Sequence, residues 1–237
     1  MREKKKRKMA TRLYLCSVPT IADIAPAFEA WTETLDSDGR RLMTPDLLAD
    51  TLANGSSIPS AAAATQLHRQ FISHPLVAGI VFTSGVSTVT CQIQGLESGA
   101  NDNIINRVRA VKVVSRDGAT IRATLIALGN AASVVEWATT LRNLTFLNAT
   151  TVGATYTTVD GDRLVLEVGH LDSGGATIAG TLRFGADSAG TGDLGINETD
   201  TVTTLRPWFE SSVNLTFEAL PPPPTVKLDA IHRAASW

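Results

Sequence analysis

The sequence predicts an all-β protein folded as an antiparallel β-sandwich. Short runs rich in threonine and valine recur along most of its 237 residues, and apolar and polar side chains alternate within them. Turn residues separate these runs at intervals of about 8–12 residues, which is typical of sandwiches. Strands do not alternate with long helices, which argues against an α/β nucleotide-binding fold. A hydrophobic content of 43% is sufficient for one ordinary core.

The first nine residues are predicted to form a disordered basic leader. Six lysines and arginines occur in the opening MREKKKRK. A signal peptide would continue with an apolar stretch of roughly 7–15 residues, but Arg12 and Pro19 interrupt it. An alternative interpretation of the leader is a basic arm that binds a partner. No stretch approaches the ~18 apolar residues of a membrane span, so no membrane partner is expected.

Residues 10–60 are predicted to form an N-terminal arm with one strand and short helices. The strand covers residues 12–16. A first helix is predicted over residues 26–31 because Pro26 is favoured in the first helical turn. A second helix is predicted to begin at Thr44, an N-cap residue followed by Pro45, and to stop at Gly55. We therefore expect the jelly-roll-like sandwich to be preceded by short N-terminal helices.

Residues 61–220 are predicted to form the sandwich core. The clearest local prediction is a hairpin whose turn contains Asp117 and Gly118, since Asp-Gly between two alternating runs favours a tight turn. A second turn is predicted at Asp160 and Gly161. The candidate strands are residues 65–71, 87–94, 104–114, 120–128, 140–146, 150–158, 164–168, 177–184 and 213–217.

Residues 221–237 are predicted to be a proline-rich spacer followed by a C-terminal tail. Four consecutive prolines at 221–224 favour a stiff polyproline II segment, so the tail should project away from the sandwich. The tail carries Ile231 and Trp237, which would allow it to dock on a neighbour; simple disorder is the alternative.

Motifs that suggest catalysis are better explained by structure. Residues 190–195 match G-x-G-x-x-G, but no helical period follows and acidic residues stand where a phosphate would bind, so a surface loop is predicted. The histidines at 68, 74, 170 and 232 lack a recognisable nucleophile partner and are expected at the surface or half-buried. Cys16 and Cys91 are expected to be two buried thiols rather than a disulfide. No enzymatic activity, catalytic residue or cofactor is predicted.

Acidic residues cluster in the predicted loops, and two alternatives to solvated turns remain open for them. Loop carboxylates could bind calcium, although their spacing fits no EF-hand or repeat-type loop, so no metal ligands are assigned. Two carboxylates facing each other across a cleft could cleave a glycan. Aspartate also favours turns through its own hydrogen bonds, and solvated turns are therefore the preferred interpretation.

Several stretches spread over residues 11–217 resemble a group of jelly-roll-like proteins encoded among tailed-phage and prophage structural genes. They are TRLYL at 11–15, PAF at 26–28 with Trp31, RDG at 116–118, IRATL at 121–125, DGDRLVLEVG at 160–169, GTLRFG at 180–185, NET at 197–199 and PWFE at 207–210. The resemblance implies a virion component: a decoration, neck, baseplate or fibre-associated protein. The basic leader and the proline-rich tail have no counterpart in this pattern.

The resemblance implies a structural role that involves no catalysis. We expect assembly through protein–protein contacts with other virion proteins and with further copies of the chain, in a virion assembled in the host cytoplasm. The net charge of −2 predicts no nucleic-acid partner. The alternative function is a carbohydrate- or receptor-binding module that binds a host glycan.

Large aromatic side chains outside the clear strand alternation are the predicted interface residues, because buried aromatics dominate contact energies. They are Trp31, Trp208, Phe209 and Trp237. For Trp208 and Phe209 the alternative is that they cap the sandwich.

Overall fold

The computed structural model describes ten stretches of the chain. They are residues 10–17, 23–32, 39–54, 58–60, 64–99, 106–131, 137–171, 178–188, 192–198 and 204–219. The predicted leader (1–9) and the whole of the predicted proline-rich spacer and tail (221–237) lie outside these residues. Across the described residues, no helix has the length and apolar character needed to cross a membrane.

The described residues fold almost entirely into β-strands. The strands are β1 (Thr11–Leu15), β2 (Arg40–Thr44), β3 (Ala53–Asn54), β4 (Ile58–Ser60), β5 (Thr65–Ser73), β6 (Val81–Phe82), β7 (Thr88–Glu97), β8 (Asn106–Val114), β9 (Ile121–Asn130), β10 (Arg142–Thr151), β11 (Tyr156–Thr157), β12 (Arg163–Leu171), β13 (Ile178–Phe184) and β14 (Trp208–Ser211). The predicted all-β class is confirmed.

Twelve of these strands belong to one large sheet. Neighbouring strands follow the order β9, β8, β12, β5, β2, β1, β14 and β7, and β10 pairs along the other edge of β7. β13 pairs with residues 94–97 of β7, after the residues of β7 that pair with β14. The short strands β3 and β4 pair in turn with β13. Every pairing is antiparallel except that of β2 with β5. β6 and β11 form a separate two-stranded sheet.

The large sheet curls so that its two halves face each other across one apolar core. Strands β5, β8 and β12 supply Phe71, Val111 and Leu166, and strands β7, β10 and β14 supply Cys91, Phe146 and Phe209. All six side chains are at most 1% exposed. This arrangement is the sandwich that the alternating runs predict, because each strand presents every second side chain to the core.

The strands of the predicted N-terminal arm are members of the same sheet as the strands of the predicted core. β1 lies between β14 and β2, and β2 in turn pairs with β5. Leu13 and Leu15 on β1 are fully buried. The boundaries at residues 60 and 220 remain a prediction.

The predicted N-terminal helices are absent from the described residues. Residues 23–32 contain neither helix nor strand, and we call them the N-terminal strap. The strap's backbone is bound by distant side chains: Glu29 N donates to Glu167, and the Ala27 carbonyl accepts from Lys112 Nζ at 2.7 Å. These groups are therefore bonded to the sheet instead of to each other.

The second helix prediction, over residues 44–54, is also wrong. Leu48 forms a parallel bridge with Asp187, and its carbonyl accepts from Ser188 N. The carboxylate of Asp50 accepts from Ser17 N at 2.8 Å and from Ala186 N at 3.2 Å. Local helix signals are overridden here because tertiary hydrogen bonds bind the same groups.

Both predicted turns are present. Residues 115–120 connect β8 to β9 as a hairpin, and Gly118 adopts a φ of 78°. Gly161 adopts a φ of 88° in the turn before β12. These positive angles suit glycine, which has no Cβ to clash with the backbone.

One predicted strand is absent from the structure and another is divided. Residues 213–217 contain no strand, and only an isolated bridge joins Phe217 to Leu76. Residues 150–158 are divided between the end of β10 and the short β11.

Candidate assembly site

The N-terminal strap covers the outer face of strands β5, β12 and β8. Ile24 packs against a small cluster formed by Ile72, Val114 and Val165. At the other end of the strap, Phe28 and Trp31 pack against Leu67 and Val108. The sheet is therefore apolar on both faces here, because one face meets the core and the other meets the strap.

Gly169 allows Trp31 to lie directly on β12. A Cβ atom at this position would approach the Trp31 ring to 2.7 Å and would also clash with the backbone carbonyl of Gln66. Both the pairing of β12 with β5 and the position of the Trp31 ring thus require a glycine at position 169.

A buried carboxylate, that of Glu167, fixes the strap to the sheet. Its Oε1 accepts from Lys112 Nζ at 2.8 Å and from Gln70 Nε2 at 2.9 Å. Its Oε2 accepts from Trp31 Nε1 at 2.8 Å and from Glu29 N at 3.1 Å. The side chains of Lys112 and Glu167 are both fully buried. Four donors thus replace the water that this carboxylate loses on burial.

Sequence reasoning missed this network, although a signal for it exists. Lys112 alternates with Val108, Ala110 and Val114 on one side of β8, and Glu167 stands in the apolar run of β12. A charge of each sign flanked by apolar residues on neighbouring strands indicates a buried ion pair, because an unpaired buried charge would be too costly.

Trp208 and Phe209, two of the predicted interface residues, lie on opposite faces of β14. Phe209 belongs to the core, and Trp208 is covered by the guanidinium of Arg12 at 3.9 Å from the ring centroid. Trp208 Nε1 donates to the carbonyl of Leu194 at 2.7 Å. Both side chains therefore close the sandwich within the chain.

An ionic cluster on β1 and β14 holds the glycine-containing loop at residues 192–198. Arg12 contacts Asp193 at 2.7 Å and Glu210 at 2.8 Å, and Arg206 contacts Asp193 at 3.3 Å. No helix begins within residues 192–198. The carboxylate of Asp193 thus anchors this loop, and the interpretation of the G-x-G-x-x-G match as a surface loop stays a prediction.

A pair of buried histidines joins β5 to β12. His68 Nε2 and His170 Nδ1 are 2.6 Å apart, and the Trp137 ring lies beside both. Burial lowers the pKa of His68 well below its usual value and lowers the pKa of His170 to about 4. Both rings are therefore neutral at pH 7, and one ring nitrogen donates to the other. The expectation that these two histidines lie at the surface or half-buried is wrong.

The remaining candidate residues are the two cysteines, the other two histidines and the possible metal ligands. Cys16 and Cys91 are buried free thiols, as predicted, and burial raises the pKa of Cys91. His74 is half-buried, and His232 lies outside the described residues. Among the described residues, no three His, Cys, Asp or Glu side chains are grouped so that they could hold a metal ion.

The predicted interface residues are not brought together by the fold. The exposed fractions of Trp31, Trp208 and Phe209 are 7%, 1% and 0%, and Trp237 lies outside the described residues. An isolated chain thus leaves the first three little surface for a partner. Their role as contacts between proteins stays a prediction.

Both ends of the described chain lie at one end of the sandwich. Thr11 pairs with Ser211, and its Oγ1 accepts from Leu215 N at 2.7 Å. Only three residues beyond Leu215, Glu218 N donates to the Pro75 carbonyl at 2.8 Å. The first and the last described strands of the chain are therefore neighbours.

No family model matches the chain, and no curated protein matches it. Three solved structures of infectious bursal disease virus overlap with it. The Gt strain matches at 13% identity with a TM-score of 0.32 over 70% of this chain, and the Gx strain at 13% identity with a TM-score of 0.30 over 68%. The T13 viral particle matches at 11% identity with a TM-score of 0.27 over 68%. The chain spans 35% of the first two viral chains and 34% of the third. Overlaps at TM-scores this low do not establish a common fold.

Proposed function

We propose that this chain is a non-enzymatic virion structural protein that assembles through protein–protein contacts. Its partners are further copies of the chain and other virion proteins, in a particle assembled in the host cytoplasm. The sequence resemblance over residues 11–217 supports a tailed-phage or prophage particle, with the protein in a decoration, neck, baseplate or fibre-associated position. The described fold supports a rigid unit around which such contacts can form.

The single observation that carries the proposal is the closeness of the two ends of the described chain. Thr11 and Leu215 are hydrogen-bonded, so segments attached beyond either end would start from the same side of the sandwich. Terminal segments that reach neighbours add contact area without enlarging the core, and two such segments acting together raise the overall affinity. A catalytic role would draw no benefit from this arrangement.

Mass spectrometry of density-gradient-purified particles from the source culture tests the proposal. We expect peptides of this chain to band with the particles at a constant ratio to the major capsid protein. That ratio also reports the position, since a decoration protein is present in far more copies than a neck protein. A host cytoplasmic protein of similar abundance is the control for carry-over. Expression of the chain without enrichment in particles would contradict the virion role.

The alternative function, binding of a host glycan or receptor, is tested with the same purified chain on a glycan array. The proposed assembly role predicts signals no higher than those of an unrelated β-sandwich protein. Saturable binding to one glycan class, with the chain absent from particles, would replace the proposal with the alternative.

A further inference from the structure

The buried ion pair under the N-terminal strap has a second carboxylate beside it, that of Glu29. Glu29 Oε1 lies 3.8 Å from Lys112 Nζ, and the same nitrogen lies 2.8 Å from Glu167 Oε1. One ammonium group thus stands between two carboxylates. The side chains of Lys112 and Glu167 are fully buried, and that of Glu29 is 20% exposed.

Glu29 Oε1 lacks the donors that normally stabilise a buried carboxylate oxygen. The atom is shielded from solvent and accepts no hydrogen bond from the described residues, since 3.8 Å from Lys112 Nζ is beyond hydrogen-bond range. The carboxylate of Glu167, by contrast, accepts four. A buried oxygen left in this way is costly, which indicates that the ion pair is not the final state of the Glu29 side chain.

Hydrogen bonds hold the Lys112 nitrogen and Glu29 in fixed positions next to each other. Lys112 Nζ donates to the Ala27 carbonyl at 2.7 Å and to Glu167 Oε1 at 2.8 Å, which occupies two of its three N–H bonds. The backbone of Glu29 is fixed on both sides, because its N–H donates to Glu167 and its carbonyl accepts from Trp31 N at 2.7 Å. A nucleophile and a carboxyl carbon that are held together react with a large entropic advantage.

We propose that Lys112 and Glu29 condense to an isopeptide bond, which joins the strap covalently to β8. The new bond links Lys112 Nζ to Glu29 Cδ, and one carboxyl oxygen of Glu29 leaves as water. The two protons that the ammonium group loses end on the departing oxygen. The reaction needs no oxidant or other co-reactant, since an ammonium group and a carboxylate together contain every atom of an amide and a water molecule.

Glu167 is placed to carry these protons. Its Oε1 accepts from Lys112 Nζ, so it can take a proton from the nitrogen that attacks Glu29 Cδ and pass it to the leaving oxygen. Gln70 and Trp31 donate to Glu167 throughout and hold it in place. Lys112, Glu29 and Glu167 carry three formal charges before the reaction and Glu167 alone is charged after it, which a buried site favours.

The cross-link goes beyond the proposed assembly role and does not depend on it. It would connect the strap to a strand that is far away in the chain. Such a bond restricts the unfolded chain as a disulfide does, so the strap would stay attached to β8 even in denaturant. Absence of the cross-link would leave the assembly role untouched, and absence of the chain from particles would leave the cross-link untouched.

Intact mass spectrometry of the purified full-length chain in denaturing solvent tests the proposal. We expect a mass lower than that of the sequence by one water molecule. Glu29→Ala should have the full mass of its own sequence, and so should Glu167→Gln, whose amide cannot carry the protons. Asp23→Ala is the matched control, because Asp23 is a strap carboxylate that pairs with Arg163 at 2.7 Å; it should still lack one water. Circular dichroism shows that each variant is folded.

Tryptic peptides locate the bond. Digestion should release one branched peptide in which residues 13–40 are joined to residues 110–116 and the chain is uncut at Lys112. Cyclisation of Asp117 or Asp160, each of which precedes a glycine, also loses water but would leave linear peptides. Linear peptides only, or a folded natural chain with its full mass, would overturn the proposal.

Discussion

At the scale of single residues, the most consequential feature is the fully buried pair of Lys112 and Glu167. The carboxylate receives hydrogen bonds from the sheet and from the strap, so one side chain connects two elements. Burial of two charges is costly, and the pair is tolerated because its hydrogen bonds replace those to water. Removal of one partner leaves the other charged and unpaired in the interior.

We predict that Glu167→Ala lowers the free energy of unfolding by about 3–5 kcal/mol. Urea denaturation measured by circular dichroism gives this value. The double variant Lys112→Met with Glu167→Leu should cost less than the sum of the single changes, because no unpaired charge remains. A loss below about 1 kcal/mol for Glu167→Ala would contradict the assigned network.

The His68–His170 pair makes stability depend on pH. Both rings have a lowered pKa in the folded chain, so the unfolded chain binds more protons once the pH falls below the usual value near 6.5. The stabilisation that the neutral pair supplies is complete above that pH and is lost as the pH falls toward about 4, the pKa of His170. Below that pH the folded chain also protonates and the effect levels off.

We predict that the free energy of unfolding falls by the order of 3 kcal/mol through His170 alone between pH 7.5 and pH 4. Urea denaturation at a series of pH values measures the change. His170→Asn should flatten this dependence, because the unfolded variant no longer gains that proton. The comparison variant His74→Gln removes a half-buried histidine outside the pair whose pKa burial also lowers, so it should reduce the drop less than His170→Asn does. An equal slope in His170→Asn and the natural chain would refute the assignment.

At the scale of elements, the β8–β9 turn both closes a hairpin and supports the strap. Gly118 adopts a positive φ, and a Cβ there would stand 3.2 Å from Pro26 and 3.3 Å from Ile24. The glycine that this local turn requires thus also makes room for the strap, which is far away in the chain.

We predict that Gly118→Ala costs about 1–2 kcal/mol, from the strained φ and from the displaced strap. Gly129→Ala, on β9, is the matched control; its Cβ would meet nothing nearer than 3.5 Å, so its effect should be close to zero. Hydrogen exchange of the Glu29 amide should accelerate in Gly118→Ala and not in the control. Equal stabilities of the two variants would contradict this role of the turn.

At the scale of the whole molecule, the first strand of the chain, β1, lies in the interior of the large sheet. β1 pairs on both edges, and its residues Leu13 and Leu15 are fully buried, although the basic leader is only a few residues away. Removal of residues from the N-terminus should therefore leave stability unchanged up to β1 and abolish folding once β1 is lost.

We predict that a chain starting at residue 10 keeps the melting temperature of the full chain, whereas a chain starting at residue 17 does not fold cooperatively. Loss of β1 removes two buried leucines, each contributing about 2–5 kcal/mol, and exposes two strand edges. Thermal unfolding followed by circular dichroism distinguishes the two. Cooperative unfolding of the shorter chain at an unchanged temperature would show that β1 is dispensable.

The amino-acid sequence was sufficient to predict the all-β class, the strand positions in most of the chain, the two turns and the buried thiols. These features depend on alternation and on turn residues, which act between near neighbours. That residues 23–32 form a strap on the sheet is visible only in the folded chain, because Lys112 and Glu167 bind its backbone from strands more than 80 residues away in the chain. The folded chain also shows that Trp31 and Trp208 are covered by other parts of the same chain. Such outcomes follow from contacts between distant segments, which local patterns do not encode.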